Sequence, residues 1–365
     1  MMASDGDEGS DIDRGGLSIA ILVPRFHTNL YYAVRALVDA GHKVHLICGD
    51  NNGIEDHSIV QPVYPDRPAS LSSTFALLRK LAPDLLIIRD TVGLSRRFFL
   101  ASVLGAYRVV GYDLNPFFRR RSVRKILSGL LRGYPVRRIT PVPGLNRSAP
   151  PDRFSFYVPF PVERPSAVAI DYAHKGVVRI LCVGKLAQER KKQLLLIEAL
   201  TSIRNVGRFT LTLVGSSRLD IDKGSESYRD ALMSHAQSGP LAGQINILPD
   251  VPFRDMPAVY GSHDVCVLPS VGEPLGMAPL EGMAYGCVPI ISTDCGSAGY
   301  IDGKDCGFLV KAGDVESLAR ALKTLIENPE RIAPLGQRAR AVIEEEFGGA
   351  GFVEKIQKLA VVRRR

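Results

Sequence analysis

The chain has 365 residues, about twice the ~150 of an ordinary domain, so we expect two lobes with separate cores. Its 45% hydrophobic and 23% charged residues exclude a disordered protein, and no apolar run reaches the ~18 residues that span a bilayer. The formal net charge of +8 indicates an anionic partner, but the aromatic-rich signatures of RNA-binding proteins are missing, which disfavours nucleic acid.

The amino-terminal segment is acidic and rich in small residues. It lacks the basic and apolar regions of a secretory signal, so we expect residues 1–16 to be disordered and the protein to be cytoplasmic. The six cysteines contain no C-x-x-C pair, and several lie in apolar runs. We therefore expect reduced, buried thiols rather than disulfides or metal ligands.

Short apolar runs alternate with helical-period stretches from Ser18 onward. The predicted strands are SIAILV (18–23), KVHLIC (43–48) and DLLIIR (84–89), and the predicted helices cover 30–40 and 71–81. Such alternation is typical of a parallel sheet with helices on both faces. We therefore predict a Rossmann-like first lobe over residues 17–160.

A segment with several prolines, 161–176, has no periodicity and is predicted to be a linker. A second series begins with VVRILCVG (177–184), continues with a helix near 194–203, and then alternates strands and helices. It predicts a second doubly wound lobe over 177–347. We expect a helix and basic tail at 348–365 that would pack back on the first lobe. The two lobes would enclose a ligand-binding cleft at the carboxyl ends of their strands.

The most informative stretch is EPLGMAPLEGMAYGCVP, which begins at Glu273. It predicts a loop and then a helix that begins near Met277, with Leu280 on the buried face. Gly276 would let the backbone approach a ligand closely, and the free amides of the first turn would bind an anion. Glu281 would lie near the same crevice as Glu273. This arrangement suits a sugar diphosphate, although two solvated glutamates beside an ordinary helix would give the same spacing.

This stretch resembles the E-x7-E signature of the retaining glycosyltransferases of family four, which have the GT-B fold. Upstream, VGKLAQERKKQLLLIEAL resembles the family's donor-phosphate segment, and downstream, DCGSAGYIDGKDCGFLV and GDVESLARAL resemble the end of its nucleotide-binding lobe. The resemblance covers about 177–347 and includes the first lobe only loosely. It implies two Rossmann-like doubly wound parallel-sheet domains that face a central cleft.

The resemblance also implies roles for individual residues. Glu281 matches the family's ribose-hydroxyl acceptor and Glu273 the carboxylate near the transferred sugar. The backbones of Gly276 and Met277 would donate to the pyrophosphate. The remaining donor-binding predictions are Leu280, Gly184 and Pro252, the last because the backbone around 251–253 would select the base.

Two lysines match the family's cation pair on the diphosphate. Lys185 stands where the family usually has arginine, and Lys191 follows six residues later. Fixed cations in a dry cleft stabilise a departing nucleoside diphosphate as its charge grows. Alternatively, both lysines lie on a solvated loop, and the second position could shift by one residue to Arg190 or Lys192.

The first lobe departs from the family pattern in two places. The loop PRFHTN (24–29) occupies the position of the family's glycine-rich acceptor-side loop but contains no glycine. His27 and Asn29 are candidate acceptor contacts there, unless this junction only caps the helix. Many relatives carry a histidine after the fourth strand, where this chain has Tyr112 and Asp113. Asp113 is therefore the first-lobe candidate at that position.

The basic stretch 116–138 interleaves arginines and lysine with apolar residues. One interpretation is a helix on an anionic membrane face, which implies a lipid-linked acceptor and a peripheral protein at the inner membrane face. The other is a first-lobe helix that packs its apolar side inward. No D-x-D pair or His/Cys cluster is present, so we expect neither a metal nor another cofactor.

These observations predict a metal-independent hexosyltransferase, and the family resemblance alone implies that it retains the anomeric configuration. It would transfer a hexose from a UDP- or GDP-sugar to a hydroxyl of a glycan or lipid-linked acceptor, in the synthesis of cell-surface polysaccharide or glycoconjugate. One alternative is a sugar-nucleotide epimerase of the same architecture. Another is a catalytically idle binding or scaffold protein.

Overall fold

We analysed a computed structural model of the chain. The residues it describes are 16–26, 28–50, 58–66, 70–145, 147–163, 165, 172, 176–219 and 224–361. The predicted disorder of the amino-terminal segment, the candidate contact His27 and the basic tail at 362–365 lie outside these residues, apart from residue 16 of that segment.

The first lobe is built on a parallel sheet with strand order β2-β1-β3-β4-β5-β6 in the described part of the chain. Its strands are β1 (Ser18–Val23), β2 (Lys43–Cys48), β3 (Leu85–Arg89), β4 (Val109–Tyr112), β5 (Arg138–Thr140) and β6 (Ser155–Tyr157). Its helices are α1 (Thr28–Asp39), α2 (Leu71–Leu81), α3 (Ser95–Leu104) and α4 (Val123–Leu131).

The second lobe contains another parallel sheet, with order β12-β11-β10-β7-β8-β9. Its strands are β7 (Val177–Val183), β8 (Arg208–Gly215), β9 (Ile245–Pro249), β10 (Val265–Leu268), β11 (Val288–Ser292) and β12 (Phe308–Val310). Its helices are α5 (Gln193–Ser202), α6 (Glu226–Ser238), α7 (Met256–Gly261), α8 (Ala278–Ala284), α9 (Ala298–Ile301), α10 (Val315–Glu327) and α11 (Ile332–Glu346), and α12 (Gly349–Val361) ends the described chain.

The predicted fold class of two doubly wound parallel sheets is confirmed. The central strand β10 is apolar and buried along its whole length, because helices cover both faces of the sheet. Helix ends follow local chemistry: Ser70 caps α2 in a capping box, and Gly41 beyond α1 has a φ of 78°.

The carboxyl-terminal helix packs on the first lobe. The ring of Phe352 lies 6.1 Å from that of Phe160, and the Gln357 side chain lies 3.1 Å from His42 Nε2. The lobes also meet at α9, where the Tyr300 hydroxyl donates to the Pro141 carbonyl. The second lobe is therefore anchored beside the first, and the carboxyl ends of β7 and β10 lie at the intervening cleft.

Candidate donor site at the cleft

The order of the second sheet reverses between β7 and β10. From β7 the chain moves outward through β8 and β9, and then returns to place β10 on the other side of β7. Ligands of open parallel sheets bind at such a switch point, outside the carboxyl ends of the strands. The predicted donor residues Gly184 and Lys185 follow β7, and Glu273 follows β10.

Glu273 is nearly buried and is held by two cations. Its Oε2 accepts hydrogen bonds from Arg190 Nη1 at 2.7 Å and from Lys191 Nζ at 2.5 Å. The Lys191 side chain is 13% exposed, whereas that of Arg190 is 42% exposed. The backbone joins the same segments, because the Val271 amide donates to the Arg190 carbonyl. Two cations facing one carboxylate leave positive charge available for an anion.

The turn after Glu273 requires glycine. Gly276 has a φ of 77°, and a Cβ there would lie 2.5 Å from Leu268 Cδ2 and 3.2 Å from Glu273 Cγ. The amides of Gly276 and Met277 donate no hydrogen bond to another described residue. They therefore remain available to an anion beside the Glu273 carboxylate.

Gly184 and Lys191 are in contact. A Cβ at Gly184 would lie 3.1 Å from Lys191 Cδ, so the lysine stem packs against bare backbone. The side chain of Gln193 donates to the carbonyls of Gly184 and Lys185 at 3.3 and 3.2 Å and fixes this loop. Lys185 is half-buried beside it. The structure thus brings together Gly184, Lys191 and Glu273.

Glu281 lies in a second part of the site. It projects from α8 and accepts a 2.5 Å hydrogen bond from the Tyr260 hydroxyl. Burial raises the pKa of Glu281, opposed by the Tyr260 hydrogen bond and reinforced by the nearby Glu163 carboxylate. Leu280, by contrast, is fully buried in the core, so its predicted donor contact can come only from its backbone amide.

Pro252 immediately precedes the segment that borders Glu281. It is exposed and leads into the 3-10 turn Phe253–Asp255. Phe253 and Glu281 line one narrow cavity together with Tyr32 from the first lobe. The Phe253 ring also meets the Tyr31 ring edge-on, with centroids 5.1 Å apart. The predicted base and ribose positions are therefore neighbours.

A first-lobe cavity of 820 Å³ lies at the carboxyl ends of β3 and β4 and is bounded by α4 and by Pro274 of the second lobe. Asp113 lines it and pairs with Arg138, whose side chain is fully buried. Asp152 and Arg121 extend this network, at 2.5 Å between Arg121 Nε and Asp152 Oδ2. Asp113 is thus held in a structural ion pair at the cavity wall.

Asn29 lies inside the first turn of α1, which begins at Thr28, and is half-buried. Its predicted acceptor contact remains a prediction, since Asn29 makes no hydrogen bond with another described residue that would place its amide.

The basic stretch 116–138 forms one helix only over α4. Two of its cations are not surface charges, because Arg138 is buried and Arg121 is paired with Asp152. These two arginines therefore do not contribute to a charged surface that could face a membrane. Val123, Leu127 and Leu131 form an apolar stripe on α4 and are 71%, 55% and 79% exposed.

All six cysteines are buried, and none forms a disulfide with another described residue. Within the described ranges, no group of three acidic, histidine or cysteine side chains could hold a metal ion. Across the same residues, no helix is both long enough and apolar enough to cross a membrane.

Sequence reasoning missed three partners of the site. Tyr260 lies twenty-one positions before Glu281 and belongs to no motif. Arg190 was considered only as an alternative to Lys191, whereas both contact Glu273. Ser297 packs its hydroxyl 3.2 Å from the Cβ position of Gly276, and that hydroxyl has no partner in the described structure.

The architecture is the GT-B fold of glycosyltransferases. A glycosyltransferase from Rickettsia africae ESF-5 superposes with a TM-score of 0.75 at 14% identity, covering 95% of this chain and 98% of that one. Anabaena Alr3699/HepE in complex with UDP and glucose superposes with a TM-score of 0.72 at 15% identity, covering 94% and 98%.

Residues 177–328 match the family described as "Glycosyl transferases group 1", so the second lobe contains a domain of this group. A D-inositol 3-phosphate glycosyltransferase from Rhodococcus erythropolis is 31% identical over 136 residues, 36% of this chain and 30% of that protein. An uncharacterized glycosyltransferase from Haemophilus influenzae is 29% identical over 134 residues, 36% and 37% of the two chains. The matched segment spans about a third of these curated relatives.

Proposed function

We propose that the protein is a retaining glycosyltransferase that transfers a hexose from a nucleotide diphosphate sugar to an acceptor hydroxyl. The observation that carries this proposal is the pairing of Lys191 with Glu273 at the β7/β10 switch point, beside the available amides of Gly276 and Met277. The Lys191 ammonium and the two backbone amides suit a negatively charged diphosphate, and the Glu273 carboxylate suits the hydroxyls of a sugar. The matching family and the UDP complex of the Anabaena neighbour support a nucleotide-sugar donor.

In the proposed reaction, the bond between the sugar C1 and the phosphate oxygen breaks as the acceptor oxygen bonds to C1. The acceptor proton passes to the departing phosphate oxygen. Lys191 and Lys185 stabilise the charge that grows on the diphosphate, and their fixed positions avoid reorganisation during the step. Glu273 orients Lys191 and accepts from a hydroxyl of the transferred sugar. Because the lysines supply the positive charge, the reaction needs no metal.

Glu281 binds the ribose in this proposal. Its carboxylate already accepts from the Tyr260 hydroxyl, and its remaining lone pairs suit the two ribose hydroxyls. The base would lie against the backbone near Pro252. The donor would thus extend from the Phe253 turn to Glu273, along the edge of α8.

We also propose that the protein acts at the cytoplasmic face of a membrane on a glycan or lipid-linked acceptor. The support is the exposed stripe of Val123, Leu127 and Leu131, which is more apolar than a solvated helix face requires. Arg119 and Arg120 are exposed just before α4 and suit anionic headgroups. A transferase at this location would take part in the synthesis of cell-surface polysaccharide or glycoconjugate.

The proposal is tested by incubating the protein with UDP-glucose or GDP-mannose and a panel of sugar acceptors, followed by NMR of the products. We expect a glycosylated acceptor with the donor's anomeric configuration. An isomerised free donor would indicate the epimerase alternative. Nucleotide binding without turnover of any donor would favour the scaffold alternative.

A further inference from the structure

The first-lobe cavity carries charge that the protein itself does not neutralise. Arg89, Arg124, Lys125 and Arg132 line it, and none of these four forms an ion pair with another described residue. The other cation at its wall, Arg121, is paired with Asp152. The acidic groups at the wall are Asp113, which is paired with Arg138, and Asp90. Four cations therefore face a single unpaired carboxylate.

The cavity also holds a buried hydroxyl that lacks a partner. Tyr112 lines the wall and is 1% exposed, and its hydroxyl makes no hydrogen bond with the described residues. Burial raises the pKa of Tyr112 to about 12, so this hydroxyl stays protonated and can donate. The Arg89 guanidinium lies over the same ring, 5.2 Å from its centroid. The hydroxyl itself is shielded from solvent, so it marks unsatisfied hydrogen-bonding capacity in the cavity wall rather than a direct ligand contact.

The cavity opens beside the candidate donor site. Pro274 lines its wall and directly follows Glu273, whose carboxylate contacts Lys191. A molecule anchored in the cavity would thus reach the position where the transferred sugar is proposed to lie. Lys125 and Arg132 lie on a different face of α4 from the Leu127 stripe, because Arg132 and Leu127 are five residues apart and so differ by about 140° around the helix.

We propose that the first-lobe cavity binds a phosphate or diphosphate group of the acceptor, through Arg89, Arg124, Lys125 and Arg132. This inference rests on the proposed function for the acceptor's identity, but the anion site itself is testable without turnover. A phosphate or diphosphate group carries several negative charges, which suits several converging cations. Guanidinium groups also bind phosphate in a bidentate manner. A neutral sugar would leave these charges without a partner.

The test is calorimetric titration of inorganic pyrophosphate into the wild type and three variants. Arg124→Ala/Lys125→Ala removes two exposed cations of the cavity. Arg79→Ala/Lys80→Ala removes two exposed cations of α2 that do not line it and serves as the matched control. Lys191→Ala removes the donor-site cation.

We expect two binding events in the wild type. The cavity variant should weaken one of them about tenfold or more, and the control should leave both unchanged. Lys191→Ala should weaken only the other event. Equal binding by the cavity variant and the control would overturn the inference, whatever Lys191→Ala does. A wild type that shows the cavity event but no event that is weakened by Lys191→Ala would instead count against the proposed donor site.

Phosphatidylcholine vesicles with and without phosphatidic acid identify the source of the phosphate. If phosphatidic acid vesicles compete with pyrophosphate for the cavity, the inference is supported and the phosphate belongs to a lipid. Competition by glucose 6-phosphate but not by glucose or vesicles would support it with a soluble phosphorylated sugar. Failure of every phosphate compound to compete would overturn it.

Discussion

Lys191 Nζ donates a 2.5 Å hydrogen bond to Glu273 Oε2, and so joins the segment after β7 to the loop after β10 across the switch point of the second sheet. Both side chains are nearly buried, which strengthens their interaction relative to a surface pair. The pair holds an ammonium group where a diphosphate would approach the amides of Gly276 and Met277. Its removal should therefore affect chemistry more than folding.

Lys191→Ala should lower kcat about 10²- to 10³-fold, because a fixed charge on the leaving group is lost. The fold should persist, since Arg190 still pairs with Glu273. The matched control is Lys192→Ala, whose ammonium pairs with the exposed Glu189 at 3.6 Å instead. Steady-state kinetics on both variants checks the assignment. Equal losses in the two would show that the position of the charge is unimportant.

Gly276→Ala should destabilise the protein and weaken nucleotide binding. The alanine would need a left-handed backbone, costing about 1 kcal/mol, and its Cβ would also meet Leu268 Cδ2 at 2.5 Å. Gly272→Ala is the control, since its φ of 63° imposes similar strain but its Cβ would meet nothing within 4 Å. Thermal unfolding should rank the wild type first, Gly272→Ala second and Gly276→Ala last. The reverse order of the two variants would contradict this geometry.

Glu281→Gln should gain stability relative to the wild type over the pH interval above the ordinary glutamate pKa of about 4.3. The raised pKa of Glu281 means that the folded protein holds this proton more tightly than the unfolded chain. The wild type therefore loses stability over this interval, whereas the amide does not titrate. The same variant should bind nucleotide less tightly, because the ribose loses a charged acceptor. A melting-temperature difference independent of pH would contradict the burial of this carboxylate.

Acidification should destabilise the contact between α12 and the first lobe. Burial lowers the pKa of His42, and its Nδ1 accepts from the Leu17 amide at 3.1 Å. Stability from the neutral ring is therefore present above the ordinary imidazole pKa of about 6.5 and is lost as pH falls through the lowered pKa of the folded protein. His42→Gln should flatten this pH dependence, and the exposed His235→Gln should not. The prediction would be contradicted if the melting temperature changed with pH equally in the wild type, His42→Gln and His235→Gln.

Leu127→Asp should reduce binding to anionic vesicles if the α4 stripe contacts the membrane. The change places a charge in the middle of an apolar surface that is already exposed, so stability should change little. Leu71→Asp is the control, since Leu71 is a 40% exposed leucine on α2. Vesicle sedimentation should separate the two variants. Equal sedimentation of Leu127→Asp and Leu71→Asp would contradict a membrane contact at the α4 stripe.

Strand and helix positions could be predicted from the sequence because periodic burial determines them locally. Strand β1 was predicted at its observed bounds, as was helix α2. Residue spacing alone indicated the site only at the turn at Gly276, whereas the pairing of distant Lys191 and Glu273 in one site was expected only from the family resemblance. The pairing of Tyr260 with Glu281, and the burial of Arg138 among acidic side chains, depend on packing between separate elements. Charge alone made Arg138 resemble its exposed neighbours.

The most direct measurement is calorimetric titration of UDP, GDP and ADP into the wild type and Glu281→Ala, each with and without EDTA. We predict that one nucleoside diphosphate binds the wild type, that EDTA leaves its affinity unchanged, and that the variant loses this binding. No binding of any nucleotide at millimolar concentration, or equal binding by the variant, would contradict a donor site at the β7/β10 switch point.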